Sequence, residues 1–84
     1  MEASVIPSNL VSAIADLKGN IAKELVERAL ELKIDPQEIL HSLARGMEIV
    51  GERYEKCEYF LSELFVAGNI MQDILTICEP KLKA

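Results

Sequence analysis

Residues 34–40 read Ile34-Asp35-Pro36-Gln37-Glu38-Ile39-Leu40, and this stretch decides the fold class. Asp35 offers a side-chain acceptor at an N-cap. Pro36 suits the first helical position, where a missing N–H is not needed, and Glu38 falls at N3, making an Asp version of the capping box. Ile34 and Ile39 occupy N′ and N4, the spacing of a hydrophobic staple. A helix should therefore start here, and apolar residues continue it through Leu40, Leu43, Met47, Val50 and Tyr54. Gly46 and Gly51 fall inside it, each at a cost of about 1 kcal/mol relative to Ala. That cost suggests close helix approach at both points.

Upstream, Ile21, Ala22, Leu25, Val26, Ala29 and Leu32 form one face of a second helix, with Lys23, Glu24, Glu27, Arg28 and Glu31 on the other. Gly19 reads as the C′ residue of a first helix and Asn20 as the N-cap of the second. The first helix should start at Ser8 or Asn9 and carry Leu10, Val11, Ile14 and Leu17. Downstream of the polar run Glu55-Lys56-Cys57-Glu58, a fourth helix should begin near Ser62 and end near Cys78, before Pro80. It carries two apolar stripes. Leu61, Leu64, Phe65, Gly68, Met71, Leu75 and Cys78 form the first; Val66, Ile70, Ile74 and Ile77 form the second, roughly opposite or flanking it and read as a candidate interface. The expectation is an all-α protein, a small four-helix bundle occupying residues 1–84 as a single domain.

Composition agrees with one small aliphatic core: 84 residues, 50% hydrophobic, two Tyr, two Phe and no Trp. A net charge of −5 opposes binding to nucleic-acid phosphates and to anionic membrane surfaces, so neither partner is expected. No transmembrane-length run or signal peptide is read, and the expected location is cytoplasmic. Cys57 and Cys78 are not a disulfide framework; one buried thiol and one loop thiol are expected.

Little in the chain carries chemistry. Glu38 and His41 have the i, i+3 spacing of di-metal bundles, but His41 is the lone histidine and the other carboxylates such a site needs are missing, so a solvated pair is expected and no metal site. No nucleophile–base arrangement or phosphate-binding loop can be assembled. His41-Ser42-Leu43 lacks the Asp and the helix-start position of an acyl carrier attachment site. The chain reads as a binding module, not catalytic alone. One cluster does stand out: Tyr54, Tyr59, Phe60 and Phe65 surround the connection between helices three and four, joined by Leu61 and Leu64. They can plug the bundle's end or present a flat apolar surface that covers a broad ligand.

The segment Gly46-Met47-Glu48-Ile49-Val50-Gly51-Glu52-Arg53-Tyr54-Glu55-Lys56-Cys57-Glu58-Tyr59-Phe60-Leu61-Ser62-Glu63-Leu64 resembles the helical cap domain of cobalamin-dependent methionine synthase and of the corrinoid proteins serving methanol and methylamine methyltransferases. The family pattern runs Met-x-x-Val-Gly-x-x-Phe/Tyr-Glu-x-Gly-x-x-Phe-Leu-Pro-Glu/Gln, with a later Met near Met71 and a Glu-Pro like Glu79-Pro80. Residues 32–40 also look like the family's third-helix start. The resemblance implies a cap over the upper face of a cobalamin or other corrinoid, with Tyr54 and Leu61 toward the cobalt's methyl side and Leu64 and Phe65 extending the apolar patch.

Three departures from the family stand out. Cys57 replaces a Gly, which implies strain if its φ is positive. Ser62 replaces a Pro. The doubly wound cobalamin-binding domain, with the His that ligates cobalt from below, is absent from these residues, and His41 does not match its loop. The resemblance thus implies cofactor binding only together with a cobalamin-binding domain, and methyltransferase subunits as further partners. The alternative is a stand-alone helical interaction module that keeps the cap fold without corrinoid. Its second stripe on helix four would make a homodimer or larger homo-oligomer.

Overall fold

The Asp35 carboxylate accepts the Gln37 N–H at 2.9 Å, and Pro36 opens a helix that continues to Glu55. The computed structural model describes residues 2–83, with side chains over 4–81. Met1 and Ala84, the ends of the expected 1–84 domain, lie outside the described residues. The elements are α1 (Glu2–Ala15), α2 (Gly19–Glu31), α3 (Pro36–Glu55) and α4 (Leu61–Lys83), with no strand among the described residues. The chain is an all-α four-helix bundle, as its punctuation implies.

Two helices overrun the expected bounds. α1 begins at Glu2 and contains Pro7, so Ser8 does not cap it; the Ser8 hydroxyl donates back to the Val5 carbonyl at 3.2 Å. α4 continues past Pro80 to Lys83. Within a turn or two of a helix end, a proline forfeits one i→i−4 bond and leaves the rest of the ladder intact.

All three junctions turn in the same way. The Lys18 N–H reaches the Ala13 carbonyl at 2.8 Å and the Leu17 N–H reaches Ile14 at 3.0 Å. Ile34 and Lys33 repeat this pair on Ala29 and Leu30, and Glu58 and Cys57 repeat it on Arg53 and Tyr54. These are Schellman endings, and each needs a left-handed residue at C′. That residue is Leu17 (φ 61°), Lys33 (φ 60°) and Cys57 (φ 62°), none of them glycine. Gly19 is instead the first residue of α2, capped by Lys18 without a side-chain bond, so the expected Gly19 C′ and Asn20 N-cap do not form. At Cys57 the turn has the geometry a glycine would give, with the strain of a side chain added. Left-handed backbone costs an L-residue about 1–2 kcal/mol, partly offset by the greater chain entropy of glycine. Cys57→Gly is therefore expected to stabilise the fold by up to about 1 kcal/mol, read as a raised denaturation midpoint at unchanged slope.

The arrangement of the helices follows from three close contacts. Ile14 of α1 lies against Gly46 of α3, and Arg53 near the end of α3 holds Asp16 just beyond α1. α1 and α3 thus run parallel. Gly19 and Lys23 of α2 meet Ile70 and Asp73 of α4, so that pair is also parallel. Within each sequential pair, α1 with α2 and α3 with α4, the helices are antiparallel. α1 packs mainly on α3 and α2, and α4 closes the far side.

The core is aliphatic, centred on Leu10, Ile14, Val26, Leu43 and Ile74. Ile21 and Leu32, read as part of the inner face of α2, are exposed. Only one of the two α3 glycines marks close approach. A Cβ at residue 46 would lie 2.7 Å from both Cβ and Cγ2 of Ile14, whereas one at residue 51 would meet nothing within 4 Å.

The two stripes of α4 are both divided: Cys78 of the first is buried and Met71 packs on the core, whereas Val66 of the second is exposed. Ile70 and Ile74, read as interface, are 6% and 0% exposed in the core, and Ile77 packs against it. Phe65, Leu61 and Leu75 of the first stripe are 66%, 56% and 39% exposed. The homodimer expected through Val66, Ile70, Ile74 and Ile77 loses its basis, because three of these four residues face α1, α2 or the core between them. The outward residues also make Leu61–Lys81 long and apolar enough to cross a membrane by length and composition, at a mean hydropathy of 1.2, contrary to the expectation of no such run. Its inner face is nevertheless committed to the bundle through Ala67, Ile70, Ile74 and Cys78.

Candidate functional site

The connection between α3 and α4, residues 56–60, is held by Arg53 at both of its ends. The Arg53 carbonyl accepts the N–H groups of Glu58 at 2.8 Å and Tyr59 at 3.2 Å. Its guanidinium reaches across to the end of α1, where Nη1 donates to the Ala15 carbonyl at 2.8 Å and to Asp16 Oδ1 at 2.9 Å. The same nitrogen donates to the Tyr59 hydroxyl at 2.9 Å, and that hydroxyl donates to the Ala15 carbonyl at 2.6 Å. The guanidinium carbon is 5.5 Å from the Tyr59 ring centroid, within cation–π range. The bond to Asp16, then that to Tyr59, holds the Arg53 pKa above its ordinary value.

Immediately after this clamp, α4 is capped from within. The Phe60 N–H donates to Glu63 Oε1 at 2.7 Å and the Ser62 hydroxyl donates to the same oxygen at 3.2 Å. This is the N3-to-N-cap half of a capping box, with Phe60 at N-cap and Ser62, in place of the family's proline, at the second helical position. The Phe60 N–H bond is the main cause that lowers the Glu63 pKa below its ordinary 4.5. A lowered carboxylate pKa adds stability above the unfolded-state value, and that stability is lost as pH falls through the folded one. The start of α4 is expected to loosen first on acidification below about pH 4.5, with lower amide protection factors at residues 60–64. Glu63→Gln should remove most of this pH dependence.

Clamp and cap fix the bases of side chains that have almost no cover. Phe60 is 69% exposed and Leu61 56%; Phe65 is 66% and Tyr54 44%. Leu64 is half-buried. Leu61, Leu64, Phe65 and Gly68 follow at i, i+3, i+4 and i+7, so they share one face of α4. A Cβ at Gly68 would meet nothing within 4 Å, which leaves that face low between larger side chains. Tyr54 belongs to the last turn of α3, at the same end of the bundle. The structure thus brings the four residues read as a surface, Tyr54, Leu61, Leu64 and Phe65, to one end as a surface and not as a plug. Phe60, the most exposed of the aromatics and a member of the cluster read from the sequence, joins them, although the family resemblance did not place it against the ligand. Tyr59 separates from the cluster, since its ring and hydroxyl serve the clamp.

Elsewhere the chain offers little. His41 is exposed and lines a groove of about 500 Å³ with Ser4, Pro7, Gln37, Glu38 and Ser42, at the opposite end of α3. No group of three or more His, Cys, Asp or Glu among the described residues could hold a metal ion. Cys57 is a free exposed thiol and Cys78 a free buried one whose pKa is raised by burial.

Comparison with known proteins places this geometry in context. A family model described as "B12 binding domain" matches residues 8–79. The chain is 31% identical to monomethylamine corrinoid protein 2 of Methanosarcina mazei, over 99% of this chain and 38% of that protein. It is 32% identical to trimethylamine corrinoid protein 1 of Methanosarcina acetivorans, and equally to trimethylamine corrinoid protein of Methanosarcina barkeri, over 84% of this chain and 33% of each. The chain therefore spans little more than a third of the length of these relatives. No solved structure matches it significantly.

Proposed function

The chain belongs to the B12 binding domain family, and from that premise we propose that it is the helical cap of a corrinoid protein, covering the upper face of the cofactor in methyl transfer. The observation that carries this reading is the uncovered apolar face at the start of α4, set by Leu61, Leu64 and Phe65 with Tyr54 beside it. Hydrocarbon of this extent is unusual on the surface of a small domain and marks a contact. A flat carbon surface fits the face of a corrin ring. When bound, the corrinoid supplies the cobalt that accepts and gives up the methyl group. The residues of this chain exclude water and oxidants from that side.

The lower half of the site, with the cobalt ligand and a home for the nucleotide tail, belongs to a cobalamin-binding domain, and methyltransferase subunits are the partners that exchange the methyl group. The experiment combines this chain with a cobalamin-binding domain carrying methylcobalamin and follows photolysis. The parent chain should slow it, and Leu61→Ala with Phe65→Ala should restore the faster rate without loss of helix. The chain alone should show no tight binding of free cobalamin in a spectral titration. Equal photolysis with parent and double variant would overturn the reading.

A further inference from the structure

Resting on the cap reading, we propose that Arg53 and Tyr59 are positioning residues, holding Phe60 and Leu61 at a fixed height over the ligand by tying the α3–α4 connection to the end of α1. Phe60 and Leu61 are mostly exposed, so packing within the chain does little to place them. The Glu63 cap holds the Phe60 N–H, and what anchors this start of α4 to the rest of the bundle is the residue before it. Tyr59 is half-buried, its hydroxyl is bound to the Ala15 carbonyl and to Arg53, and its N–H is bound to the Arg53 carbonyl. Arg53 completes the tie through Ala15 and Asp16, so one side chain fastens three elements.

A second feature points the same way. α1 offers the Ala15 carbonyl to both donors because its ladder has ended there: the Schellman bonds use the carbonyls of Ala13 and Ile14 and leave Ala15 to be satisfied from outside. The left-handed turn at Leu17 and the clamp on Ala15 are therefore one construction. The Ala15 side chain is itself buried, which keeps the carbonyl from shifting to follow a loosened loop. An apolar cover works only if its side chains stay within van der Waals contact of what they cover, since a gap of an ångström loses a large share of the attraction and admits water.

The test uses the full chain with Tyr59→Phe, which removes only the hydroxyl, and Arg53→Lys, which keeps the charge but not the planar fork. Methyl NMR reports the order of Leu61 and Val50, and amide exchange reports residues 58–61. Tyr59→Phe should lower Leu61 order and speed exchange at 58–61 by roughly tenfold, the scale of one lost hydrogen bond, while Val50 in the core is unchanged. Arg53→Lys should give the larger loosening, because it also weakens the tie to Asp16. Unchanged Leu61 order in both variants would overturn the proposal, as would loosening spread equally to Val50. Photolysis of methylcobalamin with a cobalamin-binding domain separates the two ideas. If the parent chain gives no protection while the NMR contrast is present, the cap reading fails and the positioning role stands.

Discussion

Ile74→Ala is expected to cost about 2–5 kcal/mol, whereas Phe65→Ala, two and a half turns earlier and a larger truncation, should cost no more than about 0.5 kcal/mol. Ile74 is fully buried in the centre of the core, and removing three carbons there leaves a cavity that four packed helices cannot close. Phe65 has two-thirds of its surface in solvent and little packing to lose. For a domain of this size each kcal/mol moves the melting temperature by about 4–8 °C, so thermal unfolding separates the two without ambiguity. Similar losses at both positions would mean that α4 is rotated from the orientation described. The pair also separates stability from cover: the cap reading needs Phe65→Ala to damage cofactor protection in a protein that is otherwise as stable as the parent.

Gly46→Ala is expected to destabilise by about 1–3 kcal/mol, although Ala is the better helix former by about 1 kcal/mol. The added methyl would sit 2.7 Å from two carbons of Ile14 and 3.3 Å from the Val11 carbonyl. The nearest of these atoms include the Ile14 Cβ, which cannot move without its backbone, so α1 must shift away from α3. Gly51→Ala supplies the control. Nothing lies within 4 Å of its new carbon, and the propensity gain of about 1 kcal/mol should appear as added stability. Urea unfolding of the two single variants should therefore move in opposite directions.

These two glycines show where a sequence reading reaches its limit. Both sit in the interior of one helix, and the cost of glycine there is the same, so the residue itself does not distinguish contact from open space. The bundle, the start of α3 and the apolar cluster at residues 54–65 were all legible, because caps, staples and helical spacing are local. The roles of the two α4 stripes were not. Both are apolar at helical spacing, and which of their residues turn inward depends on where α1 and α2 lie, information that no residue in α4 carries. The clamp was invisible for a similar reason. Arg53 and Tyr59 are near in sequence, but their shared acceptor, the Ala15 carbonyl, is freed by the way α1 ends. The left-handed residue at 17 was missed because glycine at 19 offered a more conventional signal nearby, and that at 33 because lysine carries no turn signal of its own, whereas Cys57 could be suspected because the family pattern has glycine there.

The parallel pairing of α1 with α3 has a consequence for how the chain acquires its structure. The first two helices emerge from synthesis as an antiparallel pair, but the surface of α1 that holds Ile14 waits for a partner a whole helix and two turns downstream. Loop closure over that span must precede the contacts that reward it, so docking of α3 is a late and non-local event even in a protein made only of helices. Neither sequential pair is a finished unit: α1–α2 alone leaves Ile14 without Gly46, and α3–α4 alone leaves Gly46 without Ile14. Assembly is then cooperative by geometry, and the moment at which Gly46 meets Ile14 is the moment at which both halves of the bundle become stable together.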